Sequence, residues 1–365
     1  MKTILFFIDS LGSGGAQRQI VQLALGFKER NYKVSFLIYN KAASKFYYEY
    51  LRENEIWIDD IDEQNYFRRI IKVRRYIRAF KPDVLISFLE ASCFMAELAS
   101  IPFKKWKLIV GERSANPNIV KTPKLIFYRQ FHFIADSVVA NSIANLSLIR
   151  KISPLTKPSK YNVIYNLLDS KKICPKKENY VFKKNGVLRL LVAASHRKLK
   201  NLNGLVEAVN LLPTEKKKCI QVDWYGSDAF DTSFSEAKQK IEEFGLNGLF
   251  HFHEATLDIY SRMEGSDAIG LFSFCEGFPN AICEGMLLEK PIIATSVSDI
   301  PKILKNGENA FLCEAEDPIT IYNSLMSLID SSPDVLKEMG IRNRQLAVSL
   351  FNKEKILDEY EALFS

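Results

Sequence analysis

The residues best suited to chemistry lie in Ser273-Phe274-Cys275-Glu276-Gly277-Phe278-Pro279-Asn280-Ala281-Ile282-Cys283-Glu284-Gly285-Met286. The segment follows an apolar run and opens a helix. Gly277 allows a tight turn, and Pro279 suits a first helical turn. The N–H groups of Phe278, Asn280 and Ala281 are expected to point out of the helix start, an anion site fit for a diphosphate. Glu276 precedes that site, and Glu284 lies one turn into the helix. Two carboxylates beside a phosphate site make sense if they accept hydrogen bonds from sugar hydroxyls. The plainer alternative is a strand-to-helix turn carrying two solvated acids.

A second group is basic: Ala194-Ser195-His196-Arg197-Lys198-Leu199-Lys200-Asn201. Cations here could stabilise a diphosphate as charge develops on it, or form an ordinary basic loop before a helix. Gly12-Ser13-Gly14-Gly15-Ala16-Gln17-Arg18 places glycines at another helix start. It is not G-x-G-x-x-G, so a nicotinamide cofactor is not indicated. Glu112-Arg113-Ser114 follows a strand just ahead of Asn116-Pro117-Asn118, and Asp9, at the end of the first strand, is another candidate to line the crevice. His251 and His253 share a strand face but lack a third ligand, so no metal site is expected. Asp60-Ile61-Asp62 reads as a solvated turn.

The elements that must position these groups alternate. Strands are expected at Ile4 to Ile8, Val34 to Tyr39, Asp83 to Phe88, Leu108 to Val110 and Ser137 to Ala140. After a Lys-rich stretch around Ser170 to Lys177 they resume at Val187 to Ala193, Ile220 to Tyr225, Leu249 to Phe252, Ala268 to Phe272, Pro291 to Ala294 and Ala310 to Cys313. Helices intervene. The pattern is α/β, with two Rossmann-like doubly wound domains in tandem and the crevice between them as the default ligand site. The expected limits are 1–166, a linker at 167–186, a second domain at 187–349, and a terminal helix at 350–365.

The 365 residues carry 50 Lys plus Arg against 43 Asp plus Glu, and apolar types make up 47 %. That excludes collagen, coiled coil and a disordered tail. The excess of +7 is uneven: residues 1–165 carry +12 and the rest −5. Much of it lies in Phe67 to Phe80, where Ile70, Val73 and Ile77 recur at helical spacing between Arg and Lys. Such a helix either lies on anionic lipid or is a solvated basic face. Six scattered cysteines suggest neither a disulfide framework nor a zinc site. Asp9 ends the first apolar run too early for a signal sequence. No apolar stretch reaches the ~18 residues of a transmembrane helix. A cytoplasmic protein, peripheral on the inner face of a membrane, is expected.

Glu276 to Glu284 resembles the E-x7-E element of retaining glycosyltransferases of the GT-B fold, group 1 (family 4). Asp267 to Ser273, Pro291 to Thr295 and Asn306 to Leu312 resemble its neighbouring elements, as do Asn141-Ser142 and Tyr165 to Asp169 near the crossover. The resemblance implies two domains facing each other across a cleft. It also implies a nucleotide diphosphate sugar, UDP-linked, in the second domain. Glu284 then holds the ribose and Glu276 the donor hexose. Gly277, Phe278, Pro279, Asn280, Ala281 and His196 line the donor. Lys200 falls at the family Lys position. The family Arg position falls on Ser195, a departure for which Arg197 stands in. Gly14 and Gly15 let the diphosphate and acceptor approach, with Glu112 or Arg113 on the acceptor side. Ser298-Asp299 departs from the family's Gly-Gly. The partners implied are a nucleotide sugar, a glycan or polyprenyl-diphosphate-linked acceptor in surface polysaccharide assembly, and an anionic membrane, with no nucleic acid. No cofactor and no catalytic metal are implied. A nucleotide-sugar 2-epimerase of the same build, relying on His196, is the alternative enzyme. A basic nucleic-acid-binding protein is the alternative of another class.

Overall fold

A computed structural model describes residues 1–40, 46–114, 117–176, 180–227 and 231–365. Asn116 and Lys177, named above, lie outside them. The chain forms two compact units: Met1–Leu167 with Lys353–Ser365, and Leu168–Asn352. The stretch 167–186 is therefore no separate linker, since its described residues from Leu168 onward count with the second unit. Lys183 N–H and the Tyr180 hydroxyl both donate to Asp267 Oδ1 at 2.9 Å.

Unit 1 holds a seven-stranded sheet: β1 (Thr3–Phe7), β2 (Lys33–Ile38), β3 (Trp57–Asp60), β4 (Val84–Phe88), β5 (Lys107–Glu112), β6 (Ser137–Ala140) and β7 (Tyr161–Val163). Unit 2 holds six strands: β8 (Leu188–Ala193), β9 (Ile220–Tyr225), β10 (Phe250–His253), β11 (Ala268–Leu271), β12 (Ile292–Thr295) and β13 (Ala310–Cys313). All pairings are parallel. The orders are β3-β2-β1-β4-β5-β6-β7 and β10-β9-β8-β11-β12-β13.

The central strands are short apolar runs because helices cover both of their faces. In β1, Ile4 and Phe6 enter one core with the helix Gly15–Glu29. Leu5 and Phe7 enter another, with Val73 and Ile77 of the helix Tyr66–Phe80. The terminal helix Lys353–Glu361 belongs to unit 1. Arg30 binds Glu354 at 2.7 Å and Asp358 at 2.8 Å, and Leu357 packs over Gly26.

Each sheet reverses its winding direction once, between β1 and β4 and between β8 and β11. Ligands of open α/β sheets bind outside the carboxyl ends of strands at such points. In unit 1 the loops there carry Asp9 to Gly15 and Leu89-Glu90. In unit 2 they carry Ala194 to Asn201 and Phe272 to Pro279. Topology thus brings together segments some 76 residues apart in sequence, the separation of Lys200 and Glu276.

Asp60 ends β3 half-buried, and Ile61 is buried against the β1 core. Asp60 is thus a strand end and Ile61 a core residue, while Asp62 beyond them is exposed, so the solvated turn expected here holds only for Asp62.

Candidate active site

The strongest convergence lies at the winding reversal of unit 2. Lys200 closes the short turn Lys198–Lys200, and Asn201, with φ 58°, caps the helix Leu202–Asn210 through Gly204 N–H at 3.1 Å. The Asn201 side chain also donates to the Ala315 carbonyl at 2.8 Å. Phe274 N–H donates to the Leu199 carbonyl at 2.9 Å, joining the β8 and β11 loops. Lys200 Nζ lies 2.6 Å from Glu276 Oε1, which also accepts from Ser273 Oγ at 2.6 Å. Thr295 at the end of β12 holds the Ser273 carbonyl at 2.7 Å. A cation and a carboxylate are therefore held side by side by a rigid frame, both half-shielded from water.

Gly226, directly after β9, makes this packing possible. A Cβ there would lie 1.9 Å from the Ala194 carbonyl oxygen. That oxygen accepts from Trp224 Nε1 at 2.6 Å, so it cannot yield freely. Gly226→Ala is expected to lower unfolding stability by ~1–3 kcal/mol and to displace the 194–201 loop. Urea denaturation checks this, and an unchanged midpoint would refute it.

The helix Asn280–Leu287 follows Pro279 and has no side-chain cap. The Asn280 N–H already donates to the Phe278 carbonyl at 3.0 Å. It is therefore spent in a turn and does not point outward as expected. Ile282 and Cys283 N–H groups both reach the Pro279 carbonyl at 3.1 Å, closing the first turn. Phe278 is buried edge-on to Phe351, with ring centres 5.4 Å apart, so its ring is packed inside. Ala281 is buried on the helix, and Glu284 has no solvent exposure at all. The Gly277 carbonyl faces Ser298 Oγ at 3.5 Å. Ser298 holds φ 55°, so the left-handed backbone that favours glycine persists where the family pattern has one.

Two residues expected at the donor, His196 and Arg197, have other side-chain neighbours in the structure. His196 is buried, stacked on Phe234 at 4.0 Å between ring centres and near Trp224 and Phe252. Its ring lies within this aromatic packing, so the epimerase alternative finds no exposed histidine at this position. Arg197 is exposed, and its charge acts on Asp231. Its carbonyl accepts from Lys200 N–H at 2.8 Å.

In unit 1, Gly14 and Gly15 begin the helix Gly15–Glu29, whose first turn has no acid and no side-chain cap. Gly14 is extended, a conformation open to any residue, and a Cβ would meet only the movable end of Gln17. Gln17 donates to Asp9 Oδ1 at 3.1 Å. Burial raises the Asp9 pKa against the bonds from Ser10 and Gln17.

Glu112, expected on the acceptor side, is only 2 % exposed. It is buried within a charge network that local sequence patterns did not reveal. Arg129 Nη2 reaches Glu112 Oε2 at 2.8 Å and Glu90 Oε1 at 3.2 Å. His132 bridges Glu112 at 2.9 Å and Glu97 at 2.7 Å. Burial opposes the charge on His132, but the two carboxylates outweigh it and push the pKa up to about 9. Burial likewise opposes the charge on Glu112, yet Arg129 and His132 hold it down to about 2. The only sequence signal was that Glu90, Glu97, Arg129 and His132 are charged or ionisable types within apolar helices. Arg113 lies over the Phe88 ring at 3.7 Å and donates to Asn166 at 3.1 Å and to the Tyr360 hydroxyl at 2.5 Å. It ties the terminal helix to the end of β5.

Among the described residues no group of three or more His, Cys, Asp or Glu could hold a metal ion. His253 pairs with Asp223 at 3.0 Å and stacks on Tyr225. His251 is exposed.

Two family models match the chain in succession: Glycosyltransferase Family 4 over residues 13–172 and Glycosyl transferases group 1 over 188–331. N-acetyl-alpha-D-glucosaminyl L-malate synthase of Bacillus anthracis is 24 % identical over 236 residues, 63 % of this chain and 60 % of that protein. Putative glycosyltransferase EpsD of Bacillus subtilis is matched over only 42 % of its length. The chain thus spans about half the length of these two curated relatives. An alpha-1,4-N-acetyl-D-galactosaminyltransferase of Campylobacter jejuni, named for a diphospho-undecaprenol-linked glycan, is 23 % identical over 100 % of this chain and 99 % of that one. Anabaena HepE, solved with UDP and glucose, shares the fold at TM-score 0.86 and 18 % identity over 99 % of both chains. TarM of S. aureus, solved with UDP, shares it at TM-score 0.82 and 11 % identity over 100 % of both.

Proposed function

Since this chain belongs to the group 1 glycosyltransferases, family 4, with the GT-B fold, we propose that it moves a hexose or N-acetylhexosamine from a UDP-sugar to a hydroxyl. The anomeric configuration is retained. The acceptor is a glycan or a polyprenyl-diphosphate-linked oligosaccharide of surface polysaccharide assembly, met on the cytoplasmic side of a membrane. The observation that carries the reading is the Lys200–Glu276 pair, 2.6 Å apart at the winding reversal of unit 2.

In this reading the donor enters unit 2. Glu276 accepts hydrogen bonds from hydroxyls of the donor hexose, and Lys200 turns toward the diphosphate. As the sugar–phosphate bond breaks, negative charge builds on the leaving phosphate. A preset ammonium beside the helix start stabilises that charge. The departing phosphate oxygen takes the acceptor proton, so the chain need supply neither a covalent nucleophile nor a cofactor. Unit 1 takes the acceptor, with Gly14 and Gly15 leaving a helix start open to a phosphate. The named activities of the Campylobacter relative and the UDP of the HepE and TarM structures support this choice of donor and acceptor.

Glu284 takes the ribose hydroxyls. Charge-assisted bonds of this kind contribute ~1.5–3 kcal/mol each. Glu284→Ala is therefore expected to weaken UDP ~10–100-fold in a calorimetric titration. Unchanged affinity would assign this buried carboxylate to helix packing alone. Incubation with labelled UDP-sugars, with and without a lipid-linked acceptor, tests the class of reaction. Acceptor-dependent transfer is expected. Label moved only within the nucleotide sugar, or not at all, would overturn the reading.

A further inference from the structure

The loop after β12 holds a strained residue that neither a helix end nor a tight packing contact accounts for. Ser298 stands at φ 55°, in the left-handed region where a side chain crowds its own backbone. Lys81 and Glu289 share that conformation, but each follows a helix end, where left-handed backbone is the usual stop. Ser298 closes no helix. It lies between the end of β12 and Asp299, whose carbonyl accepts from Lys302 and Ile303 N–H at 3.0 and 3.2 Å as the next turn opens. A glycine would sit there without strain, and the family pattern has one. The serine side chain is what this chain adds.

Both flanks of Ser298 are held fast. Ser296 N–H donates to the Cys313 carbonyl at 2.8 Å, Val297 N–H to the Thr295 carbonyl at 2.8 Å, and Ile300 N–H to the Val297 carbonyl at 3.1 Å. Thr295 in turn holds the Ser273 carbonyl of the β11 loop at 2.7 Å. Such a frame can keep a strained residue in place, and strain of this kind gathers at functional sites. The half-buried Ser298 faces the turn after Glu276, with Oγ 3.5 Å from the Gly277 carbonyl. Among the described residues no other donor reaches that carbonyl. Gly277 has no side chain to anchor it, so nothing local fixes its peptide plane. At 3.5 Å the bond is long, and closing of the turn on a sugar would shorten it.

We propose that Ser298 is a positioning residue for the donor hexose. Its hydroxyl donates to the Gly277 carbonyl and sets the Gly277–Phe278 peptide. It thereby fixes the backbone from which the Glu276 carboxylate reaches the sugar hydroxyls. Ser298 acts on the hexose and not on the nucleotide, whose ribose and diphosphate fall to Glu284 and Lys200. This role rests on the donor site of the proposed function. The serine is kept at a cost in stability, so its removal separates stability from function.

Two variants test it. Ser298→Gly removes the hydroxyl and the strain together, and Ser298→Ala removes the hydroxyl alone. Urea unfolding of Ser298→Gly is expected at or above the wild-type midpoint. In both variants kcat/KM is expected to fall ~3- to 10-fold, the size of one neutral hydrogen bond. The donor is whichever of UDP-glucose, UDP-galactose and their N-acetylated counterparts the wild type uses best. Titration calorimetry should show UDP affinity unchanged, and the ratio of UDP-sugar to UDP affinity lowered. Wild-type kcat/KM and an unchanged ratio in Ser298→Gly would overturn the proposal. So would an equal loss of UDP affinity, which marks packing of the whole site. A Ser298→Gly midpoint well below the wild type's would also overturn it, since the serine would then serve the fold. A wild type that transfers no sugar, yet loses the affinity ratio on Ser298→Gly, would count against the proposed reaction alone and leave the positioning role standing.

Discussion

Lys200→Ala is expected to lower turnover of the UDP-sugar by ~100- to 1,000-fold, the range seen when one preorganised electrostatic stabiliser is removed. The reason is the position of the ammonium. It is fixed behind by the Asn201 cap and faces Glu276 across 2.6 Å. In the proposed reaction it exchanges Glu276 for the diphosphate as the donor binds, so that it is in place before charge develops on the leaving group. Its pair with Glu276 is partly exposed, with side-chain exposures of 21 % and 10 %. Loss of the pair should therefore cost little stability, under ~1 kcal/mol. Steady-state kinetics separate the roles. A fall in kcat at nearly constant KM marks stabilisation of the transition state, whereas a rise in KM alone marks ground-state binding. Lys200→Arg should recover only part of the rate, since a planar fork does not replace a compact ammonium. Full activity of Lys200→Ala would remove the diphosphate role.

The second large effect is on folding. Arg129→Ala is expected to destabilise unit 1 by ~3–5 kcal/mol, because it leaves Glu112 buried without its main counter-charge. Replacing Arg129 by Met and Glu112 by Gln together should cost clearly less, as the stranded charge is gone. The same network gives a signed pH dependence. The folded pKa of His132 stands at about 9, above its ordinary 6.5. Its contribution is therefore complete below pH 6.5 and is lost as pH rises through about 9. Glu112 stands at about 2, below its ordinary 4.5, so its contribution is complete above 4.5 and is lost as pH falls toward 2. Thermal unfolding of wild type and His132→Gln should converge as pH rises from 6.5 past 9. A constant gap across that window would contradict the assignment.

The legible parts of this protein share a physical cause. Ile4 to Ile8 and Ala268 to Phe272 are buried on both faces, so they stand out as short apolar runs, and helix starts with Gly or Pro mark their ends. The edge strands β3 and β7 were not legible. Trp57-Ile58-Asp59-Asp60 carries two acids, and Tyr161-Asn162-Val163 is three residues long. An edge strand needs neither continuous apolarity nor length. Lys200 and Glu276 stood out by type, each within its own loop. Their meeting depends on the winding reversal and on the Phe274–Leu199 backbone bond, both non-local. Glu112 and His196 misled for the opposite reason. Each follows a strand, where ligand groups often sit, but partners distant in sequence draw each into the interior. In the basic helix the charges are plain in the sequence. Which of them bind carbonyls, as Arg74 and Arg78 do, is decided by the neighbouring helix and loop.

The central claim is acceptor-dependent transfer of a sugar from a UDP donor with its anomeric configuration kept. Proton NMR of the products formed from UDP-α-N-acetylhexosamine and a short-chain polyprenyl-diphosphate-linked N-acetylhexosamine tests it most directly. An α-linked product, formed as UDP is released and absent without acceptor, is the expected result. A β-linked product, or a 2-epimer of the donor formed without acceptor, would contradict the account.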